Sequence, residues 1–267
     1  MAPYVSNFEV IPGSPEPTVV LHVPHASTRI PDDVRAGIVL DDAALAAELQ
    51  AITDADTDLV AEQAAGTAKV RPWIFVNRTS RLVVDPERFI DGTEELDKVG
   101  MGAVYTRTTD GAVLRDPTEI DRQRLIDDYF VPYADAIASL VRERLAAVGG
   151  VTIVDVHSYP REALPYELHA DGPRPEICIG TDDFHTPASL RDAAVESMAA
   201  CAPTGEVGLD SPFWGCYVPL EQYGTNSDLR ALMLEVRRDV VADHRQALVA
   251  SVTELVDRVG SDHRRLR

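Results

Sequence analysis

Val151-Thr152-Ile153-Val154-Asp155-Val156-His157-Ser158 decides the fold class of this chain, because a short β-branched run follows a Gly149-Gly150 stop and ends in a histidine. A brief Val- and Ile-rich run bounded by turn residues marks a buried strand. Upstream, Ile126, Tyr129, Tyr133, Ile137, Leu140, Val141 and Leu145 recur at helical spacing between Glu119 and Val148, with Pro132 predicting a kink. Helix, glycine stop and strand in direct succession suit a helix packed across a sheet. A second run, Thr18-Val19-Val20-Leu21-His22-Val23-Pro24-His25-Ala26-Ser27, also closes on a histidine. Ligands of α/β proteins are held at the carboxyl ends of buried strands, so two strand-end histidines point to one reaction site.

Working outward, residues 41-64 read as helical, interrupted by Asp54-Ala55-Asp56-Thr57-Asp58. A strand is expected at Trp73-Ile74-Phe75-Val76, followed by the run Ser80-Arg81-Leu82-Val83-Val84-Asp85. Further strands are expected at 176-180 and 231-236, and helices at 187-200 and 243-259. Residues 91-118 lack periodicity, and a loop of that length inside a globular chain is more often functional than idle. Alternating strands and helices predict an α/β fold, a three-layer αβα sandwich around a mixed central sheet, in one domain over 1-267.

Forty-four acidic against 25 basic side chains give a net charge of −19, which repels phosphate backbones and disfavours nucleic acid as a partner. No apolar stretch approaches the roughly 18 residues of a membrane span, and Met1-Ala2-Pro3-Tyr4 has no signal-peptide pattern, so a cytoplasmic location is expected. The three cysteines, Cys178, Cys201 and Cys216, are too few and too far apart for a disulfide framework or a thiolate zinc site. They read as core fillers, with Cys216 alone held back as a site neighbour.

Catalytic zinc sites combine three protein side chains with one open position, and neutral imidazole is a common ligand. His25 and His157 supply two. A carboxylate from Asp54, Asp56 or Asp58 is the natural third; at helical spacing Asp54 and Asp58 share a face, although such acids also cap or interrupt helices. His22 falls inside its strand and points toward a packed layer, His185 faces the site or caps a helix, and His169, His244 and His263 read as solvated. Glu235, near the end of an apolar strand, is the best-placed lone carboxylate for accepting a proton, unless Arg237 or Arg238 pairs with it. Arg81 and Asp85 form either a structural pair or a guanidinium held for a substrate carboxylate.

Seven segments in order resemble the N-formylglutamate amidohydrolase family: Pro24-His25-Ala26-Ser27 with Ile30-Pro31; Thr53-Asp54 with Thr57-Asp58; Ser80 to Asp85; Asp155-Val156-His157-Ser158; Ile177 to Thr181; Pro212-Phe213-Trp214-Gly215-Cys216-Tyr217-Val218-Pro219; and Met233-Leu234-Glu235-Val236-Arg237-Arg238. The resemblance implies a phosphorylase/hydrolase-like fold related to zinc carboxypeptidases and hydrolysis of the amide of a small N-acyl amino acid, with N-formyl-L-glutamate first. It also implies one zinc ion per chain on His25, His157 and Asp54, with Asp58 in reserve, and Glu235 as general base and then acid. Arg81 would hold a substrate carboxylate, and Arg237 and Tyr217 are further candidates for substrate contact. Two departures bear on specificity: Asp85-Pro86-Glu87-Arg88 stands where many members read Asp-Leu-Asn-Arg, and Arg237-Arg238 where many read Asn-Arg. These leave room for another N-acyl amino acid or a small carboxylated amide as substrate, or for a non-catalytic carboxylate-binding protein on the same fold.

Overall fold

A computed structural model describes residues 6–265, with side chains through Ser261. The Met1–Tyr4 segment and the His263 side chain, on which two expectations rest, lie outside the described residues. In chain order the elements are β1 (Phe8–Ile11), β2 (Val19–Val23), α1 (Asp32–Arg35), α2 (Asp42–Ile52), α3 (Thr57–Thr67), β3 (Trp73–Asn77), a 3-10 turn (Glu95–Val99) and α4 (Arg122–Leu125). A π turn (Ile126–Phe130), α5 (Val131–Val148), β4 (Val151–Tyr159), β5 (Ile177–Gly180), α6 (Ala188–Ala199), β6 (Val207–Leu209), β7 (Leu229–Arg237), α7 (Arg238–Asp243) and α8 (Arg245–Arg265) follow.

The strands form one seven-stranded sheet in the order β1-β3-β2-β4-β7-β5-β6. The inner strands β3, β2, β4 and β7 are parallel, β1 is antiparallel to β3, and β5 with β6 runs antiparallel to β7. Period-two alternation then splits the inner strands between two faces. Val19, Leu21, Val23, Val154, Val156, Leu232, Leu234 and Val236 meet α3, α6 and α8 on one side. Val20, Phe75, Val151, Ile153 and Ala231 meet Tyr133, Ile137, Leu140 and Val141 of α5 on the other. The expected three layers around a mixed sheet are present, each fully buried Val or Leu contributing about 1.5–3 kcal/mol.

On the α5 side the apolar series stops before the strands do. The positions of the same parity that follow are His22 in β2, Asp155 and His157 in β4, and Met233 and then Glu235 in β7, with His22 registered beside Asp155 and His157 beside Glu235. One face of the sheet thus turns from core to polar site along the length of its own strands.

Several segments differ from expectation. The short strands β1 and β6 are additional, and Ser80–Asp85 forms turns because Leu82, Val83 and Val84 are drawn into side clusters instead of the sheet. At Pro132, which has no amide hydrogen to continue the ladder, the interruption is the π turn immediately before it. The 91–118 loop is mostly packed, with Met101, Tyr105 and Leu114 buried, and only its start lines a cavity. Among the described residues no helix is long and apolar enough to cross a membrane.

Candidate active site

His25 follows β2 beyond Pro24, in a loop tied to β3 by the Asn77 side-chain amide, which donates to the Pro24 carbonyl at 2.9 Å. The break between α2 and α3 brings Asp54 to it. Asp56 adopts a left-handed conformation (φ 67°), which Asp tolerates better than most residues, and its carboxylate pairs with Arg245. Asp54 is then anchored by its backbone, donating to the His25 carbonyl at 3.0 Å and accepting from the Thr57 hydroxyl at 2.8 Å. His157 comes from β4 itself, two residues before the strand ends.

The three side chains converge. His25 Nδ1 and His157 Nδ1 are 3.2 Å apart, and Asp54 Oδ2 lies 3.1 Å from the latter and 3.6 Å from the former. Tetrahedral bonds of about 2.0–2.2 Å separate their donor atoms by roughly 3.3–3.5 Å, so this buried triangle has the dimensions of three ligand positions. Both imidazoles turn their other nitrogen toward a carboxylate, His25 Nε2 to Asp85 Oδ1 at 3.0 Å and His157 Nε2 to Asp155 Oδ2 at 3.1 Å. That is the outer partnership that orients metal-binding histidines.

Charge points the same way. Asp54 within the triangle and Asp85, Glu87, Asp155 and Glu235 around it outnumber the guanidiniums of Arg81, Arg88 and Arg238, a carboxyl-rich setting of the kind that holds a divalent cation. Burial works against a charged His157, yet Asp155 and then Glu87 push its imidazole well above the usual range. Burial also opposes ionisation of Asp85, but Arg81 first and His25 next hold its carboxyl well below the usual range. Glu235 has no such support; burial pushes it up to about 8, with His157 opposing. The residues present therefore fit a divalent metal, and Glu235 is a carboxyl poised to exchange a proton near neutral pH.

These residues open into a cavity of about 400 Å3. Glu87 Oε1, Ser158 Oγ, Glu235 Oε2 and Arg238 Nε, all on lining residues, are buried without a hydrogen-bond partner. Buried polar atoms are normally satisfied, so such a concentration marks a place prepared for a ligand. Arg81 also lines the cavity, braced by Asp85 at 2.6 Å and sharing it with the Tyr105 hydroxyl.

Three expected site residues lie elsewhere. Asp58 is drawn away to Arg78 at 3.1 Å, since α3 begins after Asp54 and the two acids share no helical face. Arg237 pairs with Asp239 at 2.7 Å and approaches Glu176, leaving Arg238, 3.7 Å from Asp54, to face the cavity; neither arginine pairs with Glu235. Tyr217 packs its ring 4.5 Å from His22 behind the triangle instead of lining the cavity. His22 is buried as expected, bridging Asp155 at 2.8 Å and Tyr133 at 2.6 Å. His185 neither caps a helix nor reaches the cavity; it joins the Leu229 carbonyl and the Gly224 amide. His169 is half-exposed at the cavity rim, and Cys216 packs on the α5 side outside it.

Asp85 was expected only as a partner of Arg81, and Asp155, Arg88 and Glu87 were given no role of their own. Asp155 could have been found from its position two before His157, which puts both on one strand face. Arg88 and Glu87 carried only the signal of a turn after an apolar run.

The family model for N-formylglutamate amidohydrolase matches residues 17–242. Among solved structures, the chain is similar to N-formylglutamate amidohydrolase from Ralstonia eutropha JMP134, with a TM-score of 0.80, 21% identity, and 98% of this chain and 100% of that one covered. It is also similar to a gene product of Agrobacterium tumefaciens, with a TM-score of 0.74, 21% identity, and coverage of 97% and 96%. At that identity the two likenesses speak for the fold. No curated protein matches the sequence.

Proposed function

The chain belongs to the N-formylglutamate amidohydrolase family, and from that premise we propose a zinc-dependent hydrolase that cleaves the amide of a small N-acyl amino acid, with N-formyl-L-glutamate as the reference substrate. The observation that carries the reading is the buried triangle of His25 Nδ1, Asp54 Oδ2 and His157 Nδ1 beside a carboxyl raised to about 8. Because one sheet draws strands from both ends of the chain, we treat 1-267 as a single amidohydrolase domain.

His25, Asp54 and His157 would hold the metal, which supplies Lewis acidity toward the acyl carbonyl and toward a water. Glu235 Oε2 accepts a proton from that water and delivers it to the departing amine nitrogen. Hydroxide adds to the acyl carbon, the C–N bond breaks, and a carboxylate and a free amino acid leave. Arg88, which lines the cavity with its Nε 3.5 Å from Asp85, receives the substrate carboxylate, while Arg81 is kept rigid by Asp85 at its side. Asp85 and Asp155 fix the two imidazoles so that each presents Nδ1.

Formate release from N-formyl-L-glutamate by the purified protein tests this reading. The wild type should turn over and Glu235→Gln should lose about 100-fold or more, the scale of a positioned proton carrier. Equal rates in the two proteins would remove Glu235 from the mechanism.

A further inference from the structure

We infer that the cavity contains a second, apolar subsite that receives a bulky uncharged acyl group, so that the preferred substrate is an N-arylacyl or branched N-acyl amino acid instead of the formyl compound. The inference rests on the amidohydrolase reading and concerns which acyl group it serves. A formyl group is a single carbon, whereas about 400 Å3 lies within the range of pockets that enclose far larger ligands.

Sheet order lays the cavity out in sequence. Arg81 and Arg88 follow β3, His25 follows β2, His157 belongs to β4 and Glu235 to β7, and beyond them the Pro212–Trp214 segment crosses β5. The crossing is close: a side chain at Gly180 of β5 would meet the Gly215 carbonyl at 2.4 Å, and the Cys178 thiol donates to the Phe213 carbonyl at 3.4 Å. Cys178 registers beside Glu235, so this segment stands on the side of the catalytic carboxyl away from the β3 end of the sheet, which Arg81 and Arg88 follow. A substrate whose carboxylate meets the arginines and whose carbonyl meets the triangle therefore has its acyl group directed at this wall.

The wall is apolar, exposed and rigidly backed. Trp214 is 57% and Leu168 41% exposed, although both are large hydrophobic residues lining the cavity. Behind them, Phe213 packs edge-on against Tyr159 at 5.4 Å, and the Arg174 guanidinium covers both rings at 5.7 and 5.1 Å. Arg174 is itself pinned by Glu167 at 2.6 Å, and Trp214 stands edge-on to His169 at 4.9 Å. Exposed apolar surface on a braced support inside a cavity is a ligand surface. Glu95, 3.7 Å from the His169 imidazole that stands beside Trp214, repels a negatively charged acyl group and restricts the subsite to neutral ones.

The test compares amino-acid release from N-formyl-, N-succinyl- and N-phenylacetyl-L-glutamate by the wild type, Trp214→Ala and Leu220→Ala, the last a 70%-exposed site outside the cavity. The phenylacetyl compound should exceed the formyl one in kcat/KM by on the order of 10–100-fold, the succinyl one should be poorest, and Trp214→Ala should erase most of that advantage while Leu220→Ala matches the wild type. Formyl turnover that is fastest, or lowered by Trp214→Ala in equal proportion with phenylacetyl turnover, overturns the subsite and leaves the amidohydrolase reading standing. If no compound is cleaved, that reading fails, and fluorescence decides the subsite separately. Trp73 is the only other tryptophan, so Trp73→Phe leaves Trp214 as sole reporter. A Trp214 signal that N-phenylacetyl-L-glutamate changes and N-formyl-L-glutamate does not keeps the subsite, and an unchanged signal rejects it.

Discussion

The two faces of the central sheet are built from the same strands and do different work. On the face toward α3, α6 and α8, β4 and β7 offer Val154, Val156, Leu234 and Val236, and packing is apolar to the ends of the strands. On the face toward α5 the residues between them are Asp155, His157 and Glu235, and packing gives way to a cavity. Alternation separates the two by one residue, so a buried strand can secure the fold with its even positions in β4 and hold chemistry with its odd ones. The account predicts that the faces fail differently when altered.

The largest effect should come from His157→Ala. Loss of one corner of the triangle should lower amide hydrolysis by about 1,000-fold or more, worth about 4 kcal/mol of transition-state stabilisation. Circular dichroism should still report a folded protein, because the apolar face is untouched.

Asp85→Asn should be the most damaging change to stability on the polar side, since it leaves Arg81 buried without its anion, a loss of about 3–5 kcal/mol in denaturant titration at neutral pH. Its pH dependence has a definite sign. Burial raises the Asp85 carboxyl, but Arg81, His25 and Arg88 outweigh burial and hold it well below the ordinary value. The stabilisation is complete above the unfolded carboxylate pKa near ~4 and is lost as pH falls from there through the depressed folded value. The variant should therefore show a flatter decline below pH ~4 than the wild type.

Leu234→Ala probes the apolar face, where it should cost about 2–5 kcal/mol through lost transfer energy and a cavity, while activity per folded molecule stays near wild type. A loss of activity with stability intact would break the comparison. Arg88→Ala should show the smallest change, raising KM for a carboxylated substrate about 10–100-fold, as expected for losing a charge-assisted contact of about 1.5–3 kcal/mol, with little change in the denaturation midpoint.

Much of this division was legible from sequence. β2, β3, β4, β5 and β7 announce themselves as short apolar runs, and α5 by its periodicity, because each buries a face that must be apolar. β1 and β6 do not, being short, partly exposed edge strands defined by their neighbours. The convergence of His25, Asp54 and His157 was suggested by strand ends and by ordered family segments, but the preference for Asp54 over Asp58 came from the family resemblance alone, without a physical signal in the residues. The choice depends on a left-handed Asp56 that ends one helical path before another begins, a backbone event without a composition signal. Arg237 and Arg238 are equally cryptic, since only the start of α7 decides which one reaches the cavity.

The central claim is that one face of the sheet holds a catalytic metal at the His25, Asp54 and His157 triangle, and elemental analysis coupled to hydrolysis tests it most directly. The account predicts about one zinc per chain in protein purified without chelator and none retained by His157→Ala. It also predicts that hydrolysis of N-acyl-glutamate disappears on chelation and returns on addition of zinc. Full turnover by metal-free protein would contradict it.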